Sequence, residues 1–141
     1  MDIESEQEML DFGRTFAEKI VSPVTIELVG DVGVGKTTFV KGLAEGLGIK
    51  EPVTSPSFTI SKSYVLSGGG KLIHYDFYRL SEPGLMADDL KENMNDKNNV
   101  VVVEWGESVV DLLPEDCIRI KIEYTEDGGR KVSLRIFTFR V

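Results

Sequence analysis

The stretch Gly30-Asp31-Val32-Gly33-Val34-Gly35-Lys36-Thr37 satisfies G-x-x-x-x-G-K-[ST] at every fixed position, the pattern of a phosphate-binding loop. Its setting constrains the fold more than the match does. Val24 to Val29 is rich in β-branched residues and reads as a strand, and Thr38 to Leu47 reads as a helix stopped by Gly48. Strand, loop and helix in that order are what phosphate binding needs. The glycines let the backbone turn tightly and aim successive N–H groups into a concave nest, at the positive end of the following helix. Lys36 is expected to reach the β and γ phosphates of a nucleotide as a point charge, and Thr37 to offer its hydroxyl to the accompanying Mg²⁺.

With 141 residues there is room for one domain, 1–141, with a proper core. The formal net charge of −8 argues against a protein that grips nucleic acid by itself, because such binding needs clustered Lys and Arg. No apolar run is long enough to span a membrane, and the acidic start is unlike a signal peptide, so the expected location is cytoplasmic. Cys117 is the only cysteine, which excludes an internal disulfide and a cysteine-based metal cluster.

The remaining elements follow from pattern. Ser5-Glu6-Gln7-Glu8 is a capping box that opens a first helix, whose Met9, Phe12, Phe16 and Ile20 form one apolar face before Pro23. Ile49 to Pro56 reads as a connecting loop. Phe58 to Leu66 and Lys71 to Tyr78 form a hairpin about Ser67-Gly68-Gly69-Gly70. Ser81 and Pro83 announce a helix to about Met94, and Asn95 to Asn99 breaks it. Val100 to Val103 is a strand covered on both faces. A short helix carries Val109, Leu112 and Leu113 up to Pro114, and Cys117–Tyr124 with Lys131–Phe139 makes a final hairpin about Asp127-Gly128-Gly129. These elements predict a three-layer α/β domain of the P-loop NTPase kind, its central sheet mostly parallel around the loop and extended by antiparallel hairpins. Strand order is left open.

A nucleotide hydrolase with such a loop needs an acidic residue at the end of a buried strand. Glu104 follows the four valines, and Asp76 lies in His74-Tyr75-Asp76-Phe77-Tyr78-Arg79. In one division of labour Glu104 coordinates the metal with Thr37, while Asp76 holds metal-bound water or orients the attacking water; which of the two dominates is left open. Thr54-Ser55-Pro56-Ser57-Phe58 is either a hydroxyl-bearing segment near the γ phosphate or a proline turn. Trp105 could line the mouth of the site or cover the sheet end and reads first as core packing, and His74, the only histidine, reads as structural.

The loop, then Thr54-Ser55-Pro56-Ser57-Phe58, then His74-Tyr75-Asp76-Phe77-Tyr78-Arg79-Leu80, then Glu104-Trp105 resembles the TsaE (YjeE) family, small bacterial ATPases of tRNA threonylcarbamoyladenosine synthesis. The resemblance spans the first helix to the final hairpin. It implies that Gly33, Val34, Gly35, Lys36, Thr37 and Thr38 bind ATP, that Thr37 and Glu104 hold Mg²⁺, and that Asp76 is needed for activity. It also implies that Glu6 and Arg130 close the base side of the site. The expected partners are TsaD and TsaB, with tRNA held mainly through that complex and the threonylcarbamoyl group transferred elsewhere. Ser57 stands where the family usually has threonine, and Ser81 to Asn99 matches the family's leucine-rich segment poorly.

The leading expectation is therefore a Mg²⁺-dependent ATPase whose catalytic residues are Lys36, Asp76 and Glu104. A small-molecule or nucleoside kinase would need an acceptor pocket and an arginine-bearing lid, for which no inserted segment is visible. A nucleotide-dependent switch without useful turnover would use the same loop. A GTPase would need a guanine-reading Asn-Lys-x-Asp, and Asn95-Asp96-Lys97-Asn98 has the wrong order.

Overall fold

A computed structural model of the chain describes residues 1–31, 33–56, 59–78 and 84–136. Its elements are β1 (Asp2–Ile3), α1 (Glu6–Lys19), β2 (Val24–Val29), α2 (Lys36–Gly46), β3 (Ser61–Val65), β4 (Lys71–Asp76), α3 (Leu85–Asn95), β5 (Val100–Glu104), a 3-10 segment (Gly106–Leu112), β6 (Ile118–Tyr124) and β7 (Arg130–Ile136). Among the described residues the strands form one sheet in the order β1-β7-β6-β2-β5-β4-β3. The pairs β6–β2, β2–β5 and β5–β4 are parallel, and the β3–β4, β6–β7 and β1–β7 pairs are antiparallel. The mostly parallel centre with hairpin extensions is the architecture expected from the sequence.

Period-2 alternation sorts the strand residues onto two faces. Ile26, Leu28, Leu72, Val100, Val102, Ile120 and Ile122 pack in one core with Met9, Phe16, Phe39, Val40 and Leu43 of α1 and α2. Ile73, Tyr75, Val101 and Val103 pack in a second core with Leu90 of α3 and Val109 of the 3-10 segment. The four valines thus feed both cores alternately, which is why none of them is polar. No helix among the described residues is long and apolar enough to cross a membrane.

The two helices of the first layer meet closely. A Cβ on Gly13 of α1 would stand 2.5 Å from the Phe39 carbonyl oxygen and 2.7 Å from the Leu43 nitrogen. Phe12 and Phe16 close over Phe39 beside this crossing, with ring centroids 5.5 and 5.7 Å away. α2 ends as the sequence suggests. Gly48, at φ 84°, donates to Glu45 O at 3.0 Å, and Ile49 donates to Ala44 O at 2.9 Å, so the last carbonyls are satisfied.

Several boundaries differ from the sequence reading. α2 begins at Lys36, so Lys36 and Thr37 belong to its first turn. α3 begins at Leu85 after Gly84, whereas the expected cap Ser81 and Pro83 lie outside the described residues, as do Ser57, Phe58, Arg79, Leu80, Val32 and the end of the final hairpin to Phe139. Ser5 caps α1 by accepting from Glu8 N–H at 3.1 Å, but Glu8 reaches back to the N–H of Glu4, at 2.7 Å, and not to that of Ser5. β1 was not foreseen, because two residues carry no alternation. Its pairing of Asp2 with Lys131 and Ile3 with Arg130 brings the start of α1 beside the final hairpin.

Candidate nucleotide site

The carboxyl end of β2 turns through Gly33, at φ 82°, and Gly35, at φ 117°, into the first turn of α2. Both angles lie where a side chain would be strained, so glycine at these positions is a backbone requirement. Residues with bulkier side chains would strain the turn by which the loop enters the helix start.

Lys36 is rooted beneath this loop and is only 6% exposed. Its Nζ donates to Gly30 O at 2.6 Å, lies 3.6 Å from Glu104 Oε1 and stands 4.3 Å over the Trp105 ring. A buried ammonium needs such compensation, and here a carbonyl dipole, a carboxylate and an indole face supply it. Glu104 closes β5, directly beside Asp76 at the end of β4 in the parallel register. Both are nearly buried, at 4% and 8% exposure. Asp76 Oδ1 accepts the Tyr78 N–H at 2.9 Å, and the Phe77 N–H is donated to Glu104 O at 3.0 Å. Glu104 Oε2 faces Nε2 of His74, one strand away.

These side chains converge because of parity. Leu72, His74 and Asp76 on β4, and Val100, Val102 and Glu104 on β5, all point toward the α1–α2 face, where the phosphate loop lies. Trp105 follows at φ 56°, a left-handed conformation uncommon for a bulky residue, and its ring meets that of Tyr78 at 4.7 Å. Trp105 thus borders the cleft as well as packing against the second core, so it takes both roles that the sequence left to it.

Two clefts adjoin across the loop. One, of about 310 Å³, is lined by Lys36, Thr37, Ser55, Asp76, Tyr78 and Glu104; the other, of about 360 Å³, by Glu6, Met9, Val34, Gly128 and Arg130. Gly33, Gly35 and Thr38 border both. Every site residue expected from the sequence therefore lines one cleft or the other. Val34 contributes backbone alone, since its side chain is buried in the first core. The guanidinium carbon of Arg130 lies over the Tyr124 ring, 4.3 Å from its centroid, and the side chain donates to Val34 O at 2.9 Å and to Gly128 O at 3.0 Å. A larger cleft of about 610 Å³ opens on the opposite face beside Glu27, Arg119, Lys121 and Glu123, but it meets the loop only at Gly30 and Asp31 and faces none of the nest.

The donor set suits a hard cation. Among the described residues no three His, Cys, Asp or Glu side chains cluster as a ready-made metal cage. Thr37, Glu104 and Asp76 instead offer one hydroxyl and two carboxylates on the wall of one cleft. Mg²⁺ is commonly held in this way, by one or two carboxylates together with substrate phosphates and water. The residue that sequence reasoning passed over is His74. The available signal was its spacing of two from Asp76, which puts both on one face.

Known proteins place the chain in a family. The chain is 40% identical to the tRNA threonylcarbamoyladenosine biosynthesis protein TsaE of Streptomyces coelicolor, over 82% of this chain and 78% of that protein. It is 36% identical to the protein of the same name from Treponema pallidum, over 92% and 95%. The crystal structure of YdiB from Bacillus subtilis superposes with a TM-score of 0.80 at 30% identity, covering 98% of this chain and 84% of YdiB. Residues 3–132 match the family described as threonylcarbamoyl adenosine biosynthesis protein TsaE, and the chain belongs to that family.

Proposed function

We propose that the chain is a Mg²⁺-dependent ATPase subunit of tRNA threonylcarbamoyladenosine synthesis, which drives a cycle of the TsaD and TsaB proteins and does not itself transfer the threonylcarbamoyl group. The observation that carries the hydrolase reading is the single cleft in which Lys36 and Thr37 stand opposite the paired strand-end carboxylates Asp76 and Glu104. The pathway assignment rests on the names of the relatives.

Phosphoryl transfer leaves little covalent work to the protein, so positioning and charge do most of it. In this reading the N–H groups of Gly33 to Thr38 cradle the phosphates, and Lys36 moves its charge from Gly30 O to the β and γ oxygens. Thr37 and Glu104 would hold Mg²⁺, which would supply further positive charge to the phosphates. Asp76, one strand over, orients the attacking water. Glu6 and Arg130 wall the neighbouring cleft, where the base would lie, and the guanidinium of Arg130 already presents a flat face for stacking. tRNA is held by the partners, in keeping with the net charge of −8.

The test is phosphate release from Mg²⁺-ATP by the purified chain alone and with TsaD and TsaB, with Lys36→Ala and Glu104→Ala as controls. Stimulation by the partners that both substitutions abolish is the expected result. ATP binding and complex assembly without phosphate release would replace the ATPase reading with a nucleotide-dependent switch, and phosphorylation of an added acceptor would replace it with a kinase.

A further inference from the structure

His74 is fully buried, lines neither cleft, and yet its imidazole ends on the carboxylate at the centre of the site. As the ionised carboxylate that metal binding requires, Glu104 accepts at Oε2, and the hydrogen between the two then belongs to Nε2. Among the described residues the other ring nitrogen, Nδ1, is buried with no hydrogen-bond partner. A hydrogen there would be a buried donor with no acceptor among the described residues, which carries the desolvation cost of an unmade hydrogen bond. The imidazole is therefore fixed as a one-directional donor to Glu104.

This leaves the carboxylate divided. Oε2 is occupied by His74, while Oε1 faces the cleft side, 3.6 Å from Lys36 Nζ. The backbone on either side is equally constrained, because β5 pairs with β2 through Leu28↔Glu104 and with β4 through Asp76↔Glu104. A glutamate held only at its backbone would sample several rotamers about its side-chain bonds. A rigid ring donating to one oxygen selects among them. We propose that His74 is a positioning residue that orients Glu104 so that Oε1 is presented to the metal–nucleotide complex, an inference that rests on the Mg²⁺-ATP reading of this site. Carboxylates that bind metals are generally braced in this way by an outer hydrogen bond.

The test measures binding of a non-hydrolysable ATP analogue to the full chain by calorimetry, in EDTA and across a Mg²⁺ titration. It compares the wild type with His74→Gln, which keeps a donor, and His74→Met, which keeps volume without one. Affinity in EDTA should be the same for all three. The Mg²⁺ concentration for half-maximal effect should rise roughly 10- to 100-fold in His74→Met and stay near wild type in His74→Gln. Equal Mg²⁺ dependence in all three would overturn the proposal, and so would an equal loss with and without metal, which is what a purely structural histidine produces. A wild type indifferent to Mg²⁺ would sink the underlying metal reading first, and that result needs no variant. The chain has a single histidine, so the imidazole ¹⁵N spectrum of the wild type gives an independent readout. An Nε2–H tautomer whose signals move when Mg²⁺ is added to the analogue-loaded protein is expected; an Nδ1–H tautomer, or signals that ignore Mg²⁺, would refute the assignment.

Discussion

Replacing Gly13 by alanine sets two effects of opposite sign against each other. Alanine is the better helix former by about 1 kcal/mol, so propensity alone predicts a more stable protein. The structure predicts the reverse. The new methyl would stand 2.5 Å from Phe39 O and 2.7 Å from Leu43 N, where ordinary contact begins near 3.4 Å. Both atoms are backbone, so no rotamer change relieves the clash and α1 must move away from α2 by roughly 1 Å. Overpacking of this kind costs about 1–3 kcal/mol, and a backbone clash belongs at the upper end. Against the propensity gain the net loss is about 2 kcal/mol, or a fall in Tm of about 4–8 °C for a domain of this size. The same displacement reaches the site, because α1 carries Glu6 and Met9 into the second cleft and Met9 packs against Gly35. Differential scanning calorimetry and nucleotide titration should therefore move together. Gly68→Ala is the control, since a Cβ there meets nothing within 4 Å. A Gly13→Ala protein that melts at or above the wild-type temperature would refute the close-crossing argument.

Arg130→Met removes the hydrogen bond to Val34 O and the guanidinium stacked on Tyr124, and nucleotide affinity by calorimetry should fall about tenfold; Arg130→Lys should not restore it, because an ammonium lacks the planar fork. Ser5→Ala loses the cap on Glu8 N–H and should lower stability to denaturant by about 1 kcal/mol. Burial and the nearby Glu27 push the Cys117 thiol up to about 12, so iodoacetamide at pH 8 should label it in denaturant but not in the native protein; rapid native labelling would contradict the packing. Burial also raises the Tyr75 hydroxyl, which donates to Asp89 at 2.6 Å. Both groups keep their protons in the fold at pH values where the unfolded chain loses them. Their stabilising contribution is thus complete below about pH 8.5, the ordinary thiol value, and declines from there as the pH rises, faster above about pH 10 where tyrosine ionises. A denaturation midpoint that stayed flat from pH 8 to pH 11 would contradict this.

What could be read from the sequence was local, and what could not be read depended on which segments meet. The phosphate loop declares itself because its strand, nest and helix are contiguous, and Glu104 because four valines precede it. Strand order was hidden, since placing β5 between β2 and β4 depends on how the crossovers pack and not on any one segment's pattern. The meeting of Glu6 with Arg130 was available only through resemblance. It is produced by β1, two residues long, pairing with β7. Gly13 lay inside a helical pattern, where a glycine reads as a weakness; it is one of the places where α1 and α2 touch. His74 is the most instructive case. Taken singly it was a lone histidine, with no metal cluster or dyad to join. Taken with the period of its own strand it shares a face with Asp76, and taken with the parallel register of the next strand it must approach Glu104. The first step needed only the sequence, and the second needed the pairing. Chemistry carried by one side chain acting on another across a strand boundary is therefore the part of a site that motif reading omits.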